Sequence, residues 1–146
     1  MPTLEELPGL AGQRLGPTDW QPMTQERVNE FADVTEDHNY IHVDPERAAA
    51  SPFGGTIAHG YLSVALLAPI SQELLDVSGA TGVNYGMDRL RFPAPLPVGA
   101  AFRGVGEVTE VEEVRGGMQV KVTLTLEVRD QERPALVADC LFRYYA

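Results

Sequence analysis

The sequence predicts an α+β domain in which a long buried helix packs on an antiparallel sheet. Three observations predict it. The chain changes character near residue 80, with helical spacing and turn residues before it and strand-like alternation after it. Val120, Val122, Leu124, Leu126 and Val128 alternate with Lys121, Thr123, Thr125 and Glu127, the pattern of a strand with one wet face. The run from His59-Gly60 through Leu62, Val64, Ala65, Leu66 and Leu67 is apolar nearly all round, as a buried helix would be. A length of 146 residues suits one domain spanning residues 1–146. A chain of that size buries about 70% of its unfolded surface.

The elements follow in order. Thr24 is a good N-cap for a helix through Glu36, with Met23 and Val28 placed as a hydrophobic staple. Val28, Phe31 and Ala32 share one face, and Asn39 is the expected stop. Asp44-Pro45 signals a second, short helix over Glu46–Ala50, a capping residue followed by proline at the first helical position. Ser51-Pro52-Phe53-Gly54-Gly55 reads as a loop. The long apolar helix starts near His59, and Pro69 should kink it or end its first part. Strands are expected over 82–92, 102–114, 120–128 and 135–145, with a Gly116-Gly117 hairpin turn. The prolines at 93, 95 and 97 cannot donate to a ladder and must form a connection or an edge.

Composition narrows the function classes. The formal net charge is −10, from 11 basic and 21 acidic residues, which opposes generic binding to nucleic acid or to a membrane surface. No apolar run is long enough to cross a bilayer, and the N-terminus lacks the basic start and apolar stretch of a signal peptide. A cytoplasmic location is the simplest expectation. Cys140 stands alone, which excludes an intrachain disulfide and a cysteine-cluster metal site.

Two segments carry candidate chemistry. Asp37, Asn39 and His42 lie within six residues. A carboxylate and an imidazole can together hold a water and move its protons near neutral pH. On a continuous helix, five residues would leave Asp37 and His42 about 140° apart. They can converge only if the chain leaves the helix between them. Taken by spacing alone, Asp37 and Asn39 are more easily explained as capping and turning the chain. The second segment is Gly54-Gly55-Thr56-Ile57-Ala58-His59-Gly60. A glycine in the first turn of a helix exposes amides that can hold an oxyanion such as a thioester enolate. Taken alone, Gly60 is better explained as letting the helix pack closely against the sheet. His59 reads as a hydrogen-bonded structural histidine and His38 as a solvated one. The spacing of His38, His42 and His59 matches no zinc motif, so no metal site is expected.

Together the two segments resemble the MaoC-like hydratase family of (R)-specific enoyl-CoA hydratases. That family's motif, D-x-N-P-[IL]-H-x-D followed by [IV]-x-H-G-[ML], is similar to Asp37-His38-Asn39-Tyr40-Ile41-His42-Val43-Asp44 and Ile57-Ala58-His59-Gly60-Tyr61. Asp19-Trp20, Phe31-Ala32-Asp33, Asn84-Tyr85-Gly86 and Arg91-Phe92-Pro93-Ala94-Pro95 resemble a nodulation-protein-N-like subgroup, so the likeness covers nearly the whole chain. It implies a hot-dog fold, a long helix wrapped by a curved antiparallel sheet. It implies a homodimer acting on an acyl-CoA thioester, without cofactor or metal. Asp37 and His42 match the family's catalytic pair, Gly60 its oxyanion amide, and Asn39 the residue that orients the pair. The implied reaction is reversible syn hydration of a trans-2-enoyl-CoA to an (R)-3-hydroxyacyl-CoA. A hot-dog thioesterase and a non-catalytic acyl-CoA-binding protein are the alternatives. Two positions depart from the motif: Tyr40 replaces its proline, and Tyr61 replaces its Met or Leu. Arg89 and Arg91 could meet coenzyme A phosphates, but pairing with carboxylates is the better expectation for them.

Overall fold

The computed structural model describes residues 1–146. In chain order the elements are a 3-10 helix (Leu4–Leu10), β1 (Arg14–Leu15), β2 (Gln21–Pro22), α1 (Gln25–Thr35), α2 (Tyr40–Val43), α3 (Pro45–Ala49), α4 (Gly60–Leu74), β3 (Thr81–Arg91), β4 (Ala101–Val114), β5 (Gly117–Val128) and β6 (Leu136–Tyr145). All neighbours in the sheet are antiparallel, in the order β1-β4-β5-β6-β3, and β2 also pairs with β4.

Side-chain alternation decides which face of the sheet carries the core. Val120, Val122, Leu124, Leu126 and Val128 of β5 are buried, as are Leu136, Ala138 and Cys140 of β6 and Phe102 and Val108 of β4. Their alternating neighbours face outward, which the period of two dictates. Register shifts between Asn84 and Gly86, Met87 and Arg89, and Val108 and Glu110 mark bulges. Bulges bend a strand and increase its twist, so they help the sheet curve around α4. The helix lies against β4 and β5. It comes close where β4 offers glycine: a Cβ built on Gly104 would fall inside the Ile70 side chain. This is the hot-dog arrangement that the resemblance implies.

The long strands lie within a few residues of their expected bounds. The hairpin turn is Arg115-Gly116 rather than Gly116-Gly117, because Gly117 already pairs with Val114. Gly116 supplies the left-handed φ of 81° that this two-residue loop needs. Thr24 caps α1, its hydroxyl accepting from Arg27 N at 3.2 Å. Met23 and Val28 are both fully buried in the same cluster.

Three further expectations need correction. Asn39 does not stop α1. The helix ends at Thr35 with Glu36 in the left-handed region at φ 63°, and Asn39 instead caps α2. Pro69 does not break α4, which continues to Leu74. The carbonyl released by the missing Pro69 amide belongs to Ala65, on the exposed side of the helix where water can satisfy it. Nor is α4 buried all round. Tyr61 is 76% exposed, and Ala65, Ala68 and Pro69 are exposed along the same helix. No helix is long and apolar enough to cross a membrane.

Candidate active site

The break that the Asp37–His42 pair requires lies at residues 36–39. Glu36 turns the chain out of α1, and the Asp37 carboxylate then accepts from Asn39 N at 3.3 Å. The Asn39 side chain accepts from Ile41 N at 3.3 Å and starts α2. The capping and turning roles are therefore present. They also aim His42 back toward Asp37. A carboxylate oxygen of Asp37 and ring nitrogens of His42 and His59 lie within 4.8 Å of one another. One water at ordinary hydrogen-bond length of about 2.8 Å from each of two such groups spans that gap.

His42 is held from three sides. Its Nδ1 donates to the Ile57 carbonyl at 2.7 Å. A carbonyl only accepts, so Nδ1 carries the proton and Nε2 of the neutral ring keeps a free lone pair. The side-chain amide of Gln25 donates to the His42 carbonyl at 2.7 Å, and the Thr56 hydroxyl donates to the Gln25 oxygen at 2.7 Å. The His42 and His59 rings stack with centroids 3.9 Å apart at 24°. Burial pushes the His42 imidazole below its ordinary pKa. The Ile57 hydrogen bond and the Asp37 charge oppose that shift, and His59 adds to it.

His59 caps α4, and its Nε2 donates to the main-chain carbonyl of Asp37 at 3.0 Å. Helical bonding begins with Ser63 N to His59 O at 3.1 Å. The amides of Gly60, Tyr61 and Leu62 consequently have no partner within the helix. Gly60 and His42 both line a cleft of about 340 Å³, walled further by Phe53, Ser63, Phe92 and the connection between β3 and β4. The Phe92 ring stands against Gly60, where a Cβ would meet it at 3.1–3.3 Å. Asp37 is exposed and lies outside that wall.

Spacing alone did not reveal the Asp37, His42 and His59 cluster as a potential ligand set. Its geometry suits a water better than a cation. Imidazole lone pairs lie in the ring plane, and two nearly parallel rings 3.9 Å apart do not aim them at one point. His38 is away from this chemistry, paired with Asp33 at 2.9 Å on the surface. Arg89 pairs with Asp139 at 3.3 Å, and Arg91 donates to the Leu90 carbonyl. The Arg47 guanidinium lies 4.0 Å over the Tyr40 ring, so α3 braces α2 where the family motif has proline. Tyr61 takes no part in the cleft wall. Sequence reasoning missed Gln25, whose partner is 17 residues away and leaves no local signal.

A family model described as MaoC like domain matches residues 7–131. The 3-hydroxyacyl-thioester dehydratase Z of Mycobacterium tuberculosis is 46% identical over 146 residues, 99% of this chain and 97% of that protein. Nodulation protein N of Rhizobium leguminosarum bv. viciae is 42% identical over 142 residues, 94% of this chain and 88% of that one. The solved structure of the (R)-hydratase from Aeromonas caviae involved in PHA biosynthesis matches with a TM-score of 0.75 and 25% identity, covering 90% of this chain and 94% of that one. A helix wrapped by a curved sheet and relatives of this kind define a hot-dog enzyme of the hydro-lyase class. The chain belongs to the MaoC-like dehydratase family.

Proposed function

We propose that this chain is an (R)-specific enoyl-CoA hydratase, adding water reversibly and syn to a trans-2-enoyl-CoA to give an (R)-3-hydroxyacyl-CoA. The observation that carries the reading is the approach of Asp37 and His42 to within 4.8 Å, with His42 lining the same cleft as Gly60. The names of the relatives support it, since one is a hydroxyacyl-thioester dehydratase and another an (R)-hydratase.

A water held by the Asp37 carboxylate and His42 Nε2 gives one proton to the pair as its oxygen bonds to C3. The C2–C3 π electrons move into the thioester, and the resulting enolate oxygen accepts from the Gly60 amide. The pair then returns a proton to C2 and the thioester carbonyl re-forms. Asn39 orders the turn that carries both residues. General acid–base help of this kind contributes about 10²–10⁴-fold. An oxyanion donor contributes about 10²–10³-fold.

The functional unit in this reading is a cytoplasmic homodimer. Strand β3 is hydrogen-bonded on one side only, to β6, and shows Val83 and Tyr85 to solvent at 47% and 56% exposure. Ala65 and Ala68 of α4 are exposed beside it and line one groove with Val83. A second copy would cover it.

The test is incubation with crotonyl-CoA and longer trans-2-enoyl-CoAs, following loss of the enoyl-thioester ultraviolet absorbance. Retention of the thioester, shown by no release of free thiol, separates hydration from thioesterase activity. Absence of hydration across that series would overturn the proposal.

A further inference from the structure

The His59 ring makes contacts to both members of the pair, and its place as the N-cap joins them to the oxyanion end of α4. Its Nε2 donates to the Asp37 carbonyl at 3.0 Å. One face stacks on His42, and Phe31 packs tilted against the ring with centroids 4.9 Å apart. Its own carbonyl receives the first helical bond of α4, from Ser63. The side chain is 2% exposed, and Nδ1 is buried with no hydrogen-bond partner. Burying an acceptor without a donor is costly, and an apolar side chain used for packing alone would avoid that cost. The imidazole meets two demands that an apolar side chain cannot combine: a flat face for His42 and an N–H for Asp37.

We infer that His59 is the positioning residue of the acid–base pair, carrying the Asp37 main chain on one nitrogen and the His42 ring on its face. Both groups are thereby fixed to the first turn of α4 and to the Gly60 amide. The inference rests on the proposed hydration for its kinetic meaning. Without the stack, His42 can rotate about its side chain, exchange the Ile57 bond for another, and lose the direction of Nε2. Without the N–H, the exposed Asp37 turn loses its tie to the helix. Displacement of a reacting group by about 1 Å can cost up to 10²-fold in rate.

Three variants test it. His59→Gln places an amide N–H near the Nε2 position, keeps the Asp37 bond and lays a planar amide where the ring stacked on His42. His59→Leu keeps volume and loses the donor. His59→Asn has an amide too short to reach the Asp37 carbonyl. The expected result is a kcat within about threefold of wild type for H59Q and about 10–10²-fold lower for H59L and H59N, with KM little changed in all. Imidazole nitrogen NMR gives a readout that needs no activity. His42 should appear as the single Nδ1–H tautomer in wild type and H59Q, and as a mixture with the Nε2–H tautomer in H59L and H59N.

If wild-type protein hydrates no enoyl thioester, the proposed function falls and the tautomer spectra alone decide this inference. Unchanged kcat and tautomer in H59L or H59N would overturn it. Equal losses in all three variants would do the same. So would loss of folding in H59L and H59N beside an intact H59Q, which would mark a purely structural role.

Discussion

The Nδ1–H of His42 donates to the Ile57 carbonyl at 2.7 Å, leaving Nε2 as the free nitrogen of the ring. A base at Nε2 works only while unprotonated. Burial holds the His42 pKa below the ordinary value of 6.5, so the base persists to lower pH than a solvated histidine would. The acid limb of kcat/KM should therefore have its midpoint below 6.5. The same shift affects stability with a definite sign. Below 6.5 the unfolded chain takes up a proton that folded His42 refuses. The stability contributed by a neutral His42 is present above 6.5 and is lost as pH falls from there through the folded value. Urea melts of wild type and His42→Gln across pH 5 to 8 check this, since the variant should lack that component. An acid limb at or above 6.5 would contradict the assignment.

Asp37 approaches His42 from the solvent side and also accepts from Asn39 N at 3.3 Å. Asp37→Asn keeps the acceptor for that turn and removes the charge. The fold should survive, and kcat should fall about 10²–10⁴-fold while KM moves little. Steady-state kinetics beside a thermal melt separate the two effects. Near wild-type hydration in this variant would exclude Asp37 as an acid or base.

Much of this arrangement is legible in the sequence wherever a physical signal is local. Thr24 caps α1, Asp44-Pro45 starts α3, and the alternation from Val120 to Val128 defines β5 and its buried face. The need for a chain break between Asp37 and His42 follows from helical geometry alone. The position of that break was not legible. Glu36 adopts the left-handed conformation without being glycine, and nothing local marks it. The two-residue strands β1 and β2 exist because Arg14 meets Glu107 and Gln21 meets Phe102, partners brought by the fold. His59 meets the Asp37 carbonyl across 22 residues, and Gln25 meets His42 across 17. Such contacts carry no periodicity. Hydropathy does not distinguish a core face from an uncovered apolar one, so the pattern of α4 predicts a buried helix while Tyr61, Ala65 and Ala68 are exposed.

Gly60 sits where a methyl group would meet the Phe92 ring at 3.1–3.3 Å. Phe92 is 47% exposed, so its ring can yield by a few tenths of an ångström. Gly60→Ala should fold with a melting temperature close to wild type. Its added carbon narrows the cleft next to the amide proposed for the enolate, so kcat/KM should fall about tenfold or more. Adding Phe92→Leu gives the methyl room and should recover part of the loss. No change in kcat/KM for Gly60→Ala would place the thioester elsewhere.

Gly104 tests the fold rather than the chemistry. Its absent side chain lets Ile70 of α4 settle onto β4, and an added methyl would overlap the Ile70 side chain. Ile70 is 2% exposed and belongs to the central cluster, so it has little room to move aside. Gly104→Ala should lift α4 from the sheet or force a strained rotamer, at a cost of about 1–3 kcal/mol. The companion change Ile70→Leu removes the branch methyl Cγ2, the atom nearest the added carbon. Alone it is a volume-conserving shape change that costs less than about 1.5 kcal/mol. Combined with Gly104→Ala it should destabilise by less than the sum of the two single changes, because the residues touch. Denaturant melts of the four proteins measure the coupling. Strict additivity would show that α4 does not bear on β4 at this point.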